Sequence, residues 1–155
     1  MTSQDFMREA IRLSIDNIKQ GGGPFGAVIV KDGEIIARGA NHVVSSNDPT
    51  AHAEVTAIRE ACARLHTYDL SGCEIYSSCE PCPMCLSAIY WAHLSHLYFA
   101  CTKDDAARIH FDDKFIYQEL ELPIHERHLP TNTLMRDQAL QAFRDWEDKP
   151  DKTAY

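Results

Sequence analysis

The sequence predicts an α/β domain of three layers, with helices on both faces of a central mixed sheet of about five strands. Three observations predict it. Residues 25–31 and 34–40 are short runs rich in β-branched side chains, joined by Asp32-Gly33, the strongest short hairpin signal. A strand–helix–strand run follows from Glu74 to Cys101, and strands joined through a helix pair in parallel by a right-handed crossover. Amphipathic segments bracket both, which supplies helices for each face of the sheet.

The elements follow in order. Residues 5–19 carry Met7, Ile11, Ile15 and Ile18 at helical spacing. Gly21-Gly22-Gly23-Pro24 ends that helix. After the hairpin, residues 41–50 read as loop. A helix over about 51–65 places Val55, Ile58, Cys62 and Leu65 on one stripe, and residues 74–78 form a strand. Pro81 or Pro83 opens the next helix, where a first-turn proline is tolerated, and it runs to about Ala92. Residues 96–101 are a strand and 103–109 a short helix. A last amphipathic helix spans 134–147 with Leu134, Leu140 and Phe143 inward, before a polar tail that ends in Tyr155. No repeat, low-complexity stretch or linker interrupts residues 1–155. They read as one domain, with about 134–155 as its C-terminal helix and tail.

Composition narrows the function. Hydrophobic residues make up 45% and charged residues 25%, which excludes disorder as the organising state. Fifteen Lys and Arg stand against 23 Asp and Glu, a net charge of −8, and phosphate contacts need a basic surface. No nucleic-acid partner is expected. No apolar run approaches the roughly 18 residues of a membrane helix, and the N-terminal stretch, with Asp5, has no signal-type apolar core. A cytoplasmic protein without membrane contact is expected. In that compartment clustered cysteines read as metal or redox ligands. Cys79, Cys82 and Cys85 cluster, whereas Cys62, Cys73 and Cys101 stand singly in apolar surroundings and read as small core residues.

The chemistry concentrates in Thr50-Ala51-His52-Ala53-Glu54 and Pro81-Cys82-Pro83-Met84-Cys85. Cys82 and Cys85, three apart in a helix's first turn, put both sulfurs on one face. The helix N-terminus favours the thiolates that zinc requires. His52 starts another helix, and helix starts that follow strands gather at the C-terminal edge of an α/β sheet. Two thiolates and one imidazole are three protein ligands, the number at which a catalytic zinc keeps its fourth position for water. Glu54, two residues from His52, does not chelate with it. It is left to take a proton from the bound water and pass it on.

H-x-E followed by P-C-x-x-C, with Asp48-Pro49-Thr50 before it, resembles the zinc-dependent nucleobase deaminases of cytidine-deaminase-like fold. Residues 22–30, 77–85, 88–92 and Phe111-Asp112-Asp113 together resemble the small bacterial guanine deaminases, over about residues 20–120 and again at the terminal tyrosine. Residues 121–150 carry no diagnostic pattern. The resemblance implies one zinc at His52, Cys82 and Cys85 with Glu54 as proton shuttle. It implies a pocket lined by Phe25, Asn41 and Trp91, with Ala53 at the substrate and Asp113 near the base. It implies a homodimer that exchanges C-terminal segments, so that Tyr155 reaches the partner's pocket.

Guanine suits these residues. Hydrolysis at C2 yields xanthine and ammonia and needs a proton at N3, within Glu54's role. Asp113 is a pure acceptor for the N–H edge, Phe25 or Trp91 can stack on the ring, and Asn41 can pair with a polar edge. Alternatives stand beside this reading. Cys79 with Cys82, Cys85 and His52 would close a four-ligand structural zinc site, which leaves Glu54 without a role. A CxxC oxidoreductase would need neither His52 nor Glu54. Asp113 could cap a helix, Phe25 and Trp91 could be packing residues, and Asn41 a turn residue. The remaining histidines show no ligand spacing. Among deaminases, a tRNA adenosine deaminase shares the core motifs but needs a basic face. A cytosine deaminase would suit a smaller pocket, and aminotriazines are conceivable side substrates.

Overall fold

In the computed structural model, which describes residues 1–155, Asp32 and Gly33 turn at φ of +50° and +79°. Both positive values are the type I′ geometry that matches strand twist. The turn joins β1 (Gly26–Lys31) to an antiparallel β2 (Glu34–Ala40). On its other side β1 pairs antiparallel with β3 (Glu74–Cys79), which pairs in parallel with β4 (His96–Cys101). The sheet is mixed, as expected, but has four strands in the order β2-β1-β3-β4 where about five were expected. The chain leaves β4 straight into a capping box, Thr102 with Asp105, which opens the short helix α5 (Lys103–Arg108). Residue pattern beyond it is helical, so β4 remains an edge.

Alternation along the strands sorts the two faces. Val28, Val30 and Tyr76 face α1 (Ser3–Lys19) and pack with Phe6 and Ala10. Ala27, Ile29 and Ile75 face the other way and pack with Ala53, Ala57 and Ala61 of α3 (Ala53–Leu65) and Ile89 of α4 (Pro83–Trp91). One turn of helix, α2 (Val43–Ser46), forms inside the stretch expected to be loop.

The helix faces differ from the expected stripes. α1 buries Phe6, Ala10, Ser14 and Asn17, while Ile11, Ile15 and Ile18 lie exposed. α3 buries Ala53, Glu54, Ala57 and Ala61, with Ile58, Cys62 and Leu65 flanking. Small residues win because both helices lie close on glycine strands. A Cβ on Gly26 would strike the Ala10 carbonyl and the Ser14 nitrogen, and one on Gly39 the Ala53 carbonyl and the Ala57 nitrogen. Gly39→Ala should therefore push α3 off β2. Its urea-unfolding midpoint should fall by the equivalent of about 1–3 kcal/mol of overpacking. An unchanged midpoint would show slack between the two elements.

The chain divides into two compact units, Met1–Lys114 and Phe115–Tyr155. The second holds most of α6 (Lys114–Glu121), a 3₁₀ turn (Ile124–Glu126) and α7 (Arg136–Asp148). Within it His128 bonds Glu119 through its backbone N–H at 2.9 Å and stacks edge-on with Phe115. This unit has no buried residue. The expected inward face of the last helix is corrected accordingly: Leu134 precedes α7 and is 84% exposed, Phe143 is 69% exposed, and Leu140 is half-buried. So short a unit has too little apolar surface to enclose a core of its own. No helix is long and apolar enough to cross a membrane.

Candidate active site

His52 and Cys82 are the N-caps of α3 and α4. The His52 ring caps no backbone group of its own helix. The Cys82 sulfur accepts the Cys85 N–H at 3.5 Å, and Pro83 starts the helix between them. His52 Nδ1 lies 3.5 Å from the sulfurs of both Cys82 and Cys85. A tetrahedral zinc with Zn–S of about 2.3 Å and Zn–N of about 2.0–2.1 Å would separate nitrogen and sulfur by about 3.6 Å. The triad fits that ion. Cys79 does not join it: its sulfur faces the Thr102 carbonyl at 3.7 Å, and burial pushes its thiol up to about 12. Three ligands remain, one fewer than the closed structural site needs.

The neighbouring Cys85 side chain lowers the Cys82 thiol, against the cost of burial, and His52 and the Cys85 N–H act in the same direction. Its neighbour Cys82 raises the Cys85 thiol, as do burial and the Glu54 carboxylate. His52 is raised, chiefly by its bond to Cys82.

Glu54 lies in the first turn of α3, almost fully buried. Its Oε1 accepts a 2.6 Å hydrogen bond from Ser77 Oγ on the central strand β3. Ser77 opens the 77–85 stretch, but the sequence reading gives it no role of its own. The signal was there: a polar residue at a sheet position whose neighbours two before and two after, Ile75 and Cys79, are both buried apolar groups.

The other candidates separate into groups. Asp113 is drawn in: burial raises its carboxyl above the ordinary range, and the nearby Cys82 and Glu80 charges add to this. Its Oδ1 is buried with no hydrogen-bond partner. Phe25 packs against the core and meets Phe111 edge-on at 5.0 Å, which ties the Phe111-Asp112-Asp113 stretch to the start of β1. Asn41 is buried after β2; its Oδ1 accepts the Val43 N–H at 3.1 Å, a turn role, and leaves the amide N–H₂ for other use. The Ala53 side chain belongs to the core, so only its backbone can meet a ligand. Trp91 is not brought to the triad within the chain. It ends α4, nine residues along a rigid helix from Cys82, and is 64% exposed. Tyr155 ends the second unit.

A three-ligand metal site with a carboxylate beside it, carried on helix starts at one end of an α/β sheet, is the arrangement of a hydrolytic zinc enzyme. A sequence profile of the cytidine and deoxycytidylate deaminase zinc-binding region matches residues 1–101, and the chain belongs to that family. Guanine deaminase of Bacillus subtilis (strain 168) is 50% identical to it over 156 residues, all of both chains. An X-ray structure of guanine deaminase from Bacillus subtilis matches it with a TM-score of 0.97 at 50% identity, covering 100% of this chain and 99% of that one. tRNA-specific adenosine deaminase of Aquifex aeolicus (strain VF5) is 44% identical over 100 residues, 64% of this chain and 66% of that one. The zinc, the deaminase class and the resemblance read from the sequence are thereby borne out.

Proposed function

We propose that the chain hydrolyses guanine to xanthine and ammonia. The observation that carries this is the full-length likeness to a guanine deaminase, where the likeness to a tRNA-specific adenosine deaminase covers 64% of the chain. Bound at His52, Cys82 and Cys85, zinc supplies a water activated for attack. Glu54 takes one proton from the water and delivers it to N3 of the base, then takes the remaining proton from the hydroxyl now on C2 and gives it to the leaving amine. The unpartnered Oδ1 of Asp113 accepts from the N–H edge of the base. Phe25 stacks on the ring, and Asn41 donates to a polar edge. With its acidic surface the protein acts on the free base and not on nucleic acid, and its thiolate ligands suit the reducing cytoplasm.

The test is ammonia release from guanine and cytosine, and inosine formation in tRNA, by the zinc-loaded chain. Guanine alone should yield product; inosine in tRNA with no ammonia from guanine would replace the proposal by the tRNA reading. In the same assay Asp113→Ala should keep its zinc and lose guanine turnover, by the equivalent of about 1.5–3 kcal/mol for a charge-assisted hydrogen bond. Unchanged turnover would remove Asp113 from substrate recognition.

We also propose a homodimer in which the C-terminal segments, about 134–155, are exchanged and Tyr155 helps to close the partner's pocket as part of a lid. Support comes from the coreless second unit and from the apolar side chains exposed on both units, Ile15 and Ile18 on one, Leu134 and Phe143 on the other. Deleting residues 153–155 should leave a zinc-loaded protein with much reduced guanine turnover. Mixing that truncation with full-length Glu54→Gln should restore part of the activity through mixed dimers. No recovery in confirmed mixed dimers would mean that tails are not shared.

A further inference from the structure

We infer that Ser77 is the positioning residue of the proton shuttle, its hydroxyl holding one oxygen of the Glu54 carboxylate so that the other is aimed at the reacting groups; this rests on the reading of Glu54 as the shuttle. Ser77 Oγ lies 2.6 Å from Glu54 Oε1 and 2.7 Å from the carbonyl oxygen of Cys79. Both neighbours are acceptors when Glu54 is a carboxylate, and a hydroxyl has one hydrogen to give. Ser77 is fully buried, so bulk water does not compete for either contact.

With its hydrogen towards Glu54, the hydroxyl holds Oε1 and leaves Oε2 of the carboxylate to take and give the proton. The Cys79 carbonyl oxygen confines the hydroxyl on its other side. The anchor itself is rigid: Ser77 sits on β3 between β1 and β4, opposite Ala27 and Phe99. The Cys79 carbonyl lies at the end of that strand, three residues before the ligand Cys82. One hydroxyl thus ties the shuttle to the segment that leads to the metal ligands. Preorganised groups of this kind lower the reorganisation that the reaction requires.

The test compares the zinc-loaded full chain with Ser77→Ala, Ser77→Thr, Ser77→Val and Glu54→Gln. Ser77→Ala should keep its zinc and its melting temperature, lose at least about tenfold in kcat and change KM little. Ser77→Thr keeps the hydroxyl and should recover most of kcat; Ser77→Val, of the same size, should not. A readout apart from turnover is the infrared carboxylate band that Glu54→Gln removes, which should shift in the Ala and Val variants and return in Thr. An unmoved band, or Ala and Val variants at the parental kcat beside an inactive Glu54→Gln, overturns the role of Ser77 and leaves the shuttle standing. An active Glu54→Gln overturns the shuttle itself. Loss of zinc or of folding in both the Ala and Val variants makes the hydroxyl a structural group and also rejects the inference.

Discussion

Glu54→Gln is expected to bind zinc as the parent does and to lose about 10²- to 10⁴-fold in turnover, the usual worth of general acid–base catalysis. Glutamine has the same size and keeps an oxygen for the Ser77 hydroxyl, but it cannot take a proton from water. Glu54 is also outside the group of ligand atoms at His52, Cys82 and Cys85, so metal content should not follow activity. Ammonia release and zinc by atomic spectroscopy separate the two. Turnover close to the parent's would show that another group moves the proton.

Cys85→Ser should remove the metal and with it all measurable activity, whereas Cys79→Ser should keep both. Cys85 is fully buried with its sulfur 3.5 Å from His52 Nδ1, in the first turn of α4. A serine oxygen there is a shorter and harder donor than the thiolate that zinc prefers. Cys79 belongs to the same run of cysteines, yet its sulfur faces the Thr102 carbonyl. Zinc content should fall from about one per chain to near zero in the first variant and stay at one in the second. A Cys79→Ser protein purified without zinc would bring back the closed four-ligand site.

The parts legible in the sequence are those where local chemistry decides. Asp32-Gly33 permits two successive positive φ values, and a helix's first turn forces Cys82 and Cys85 together whatever surrounds them. What remained hidden depends on partners distant in the chain. Nothing local reveals that α1 presents Ala10 and Ser14 to the sheet and turns its isoleucines outward; Gly26, on another element, decides it. The same holds for Ala53, Ala57 and Ala61 over Gly39. An amphipathic α7 was readable, but what covers it was not, since a helix's apolar stripe does not name its partner. The strand count failed because the residues after Cys101 are helical. Ser77 escaped because a serine beside another serine looks like an ordinary polar pair until the pleat buries both and turns Ser77 to Glu54 and Ser78 to the Gly26 N–H.

The ligand geometry has a thermodynamic side. His52 and Cys82 are 30 residues apart in the chain, so an ion held by both is a removable cross-link between two helices. Like other links of that kind it excludes many conformations of the unfolded chain. Unlike a disulfide it is governed by mass action, and stability gained this way grows as RT ln(1 + [L]/Kd), about 2.7 kcal/mol when free ligand is a hundred times Kd. The melting temperature of this chain is therefore not a single number. It should climb with the logarithm of free zinc and drop on chelation. Metal supply would then set how long the folded chain survives as well as how fast it turns over.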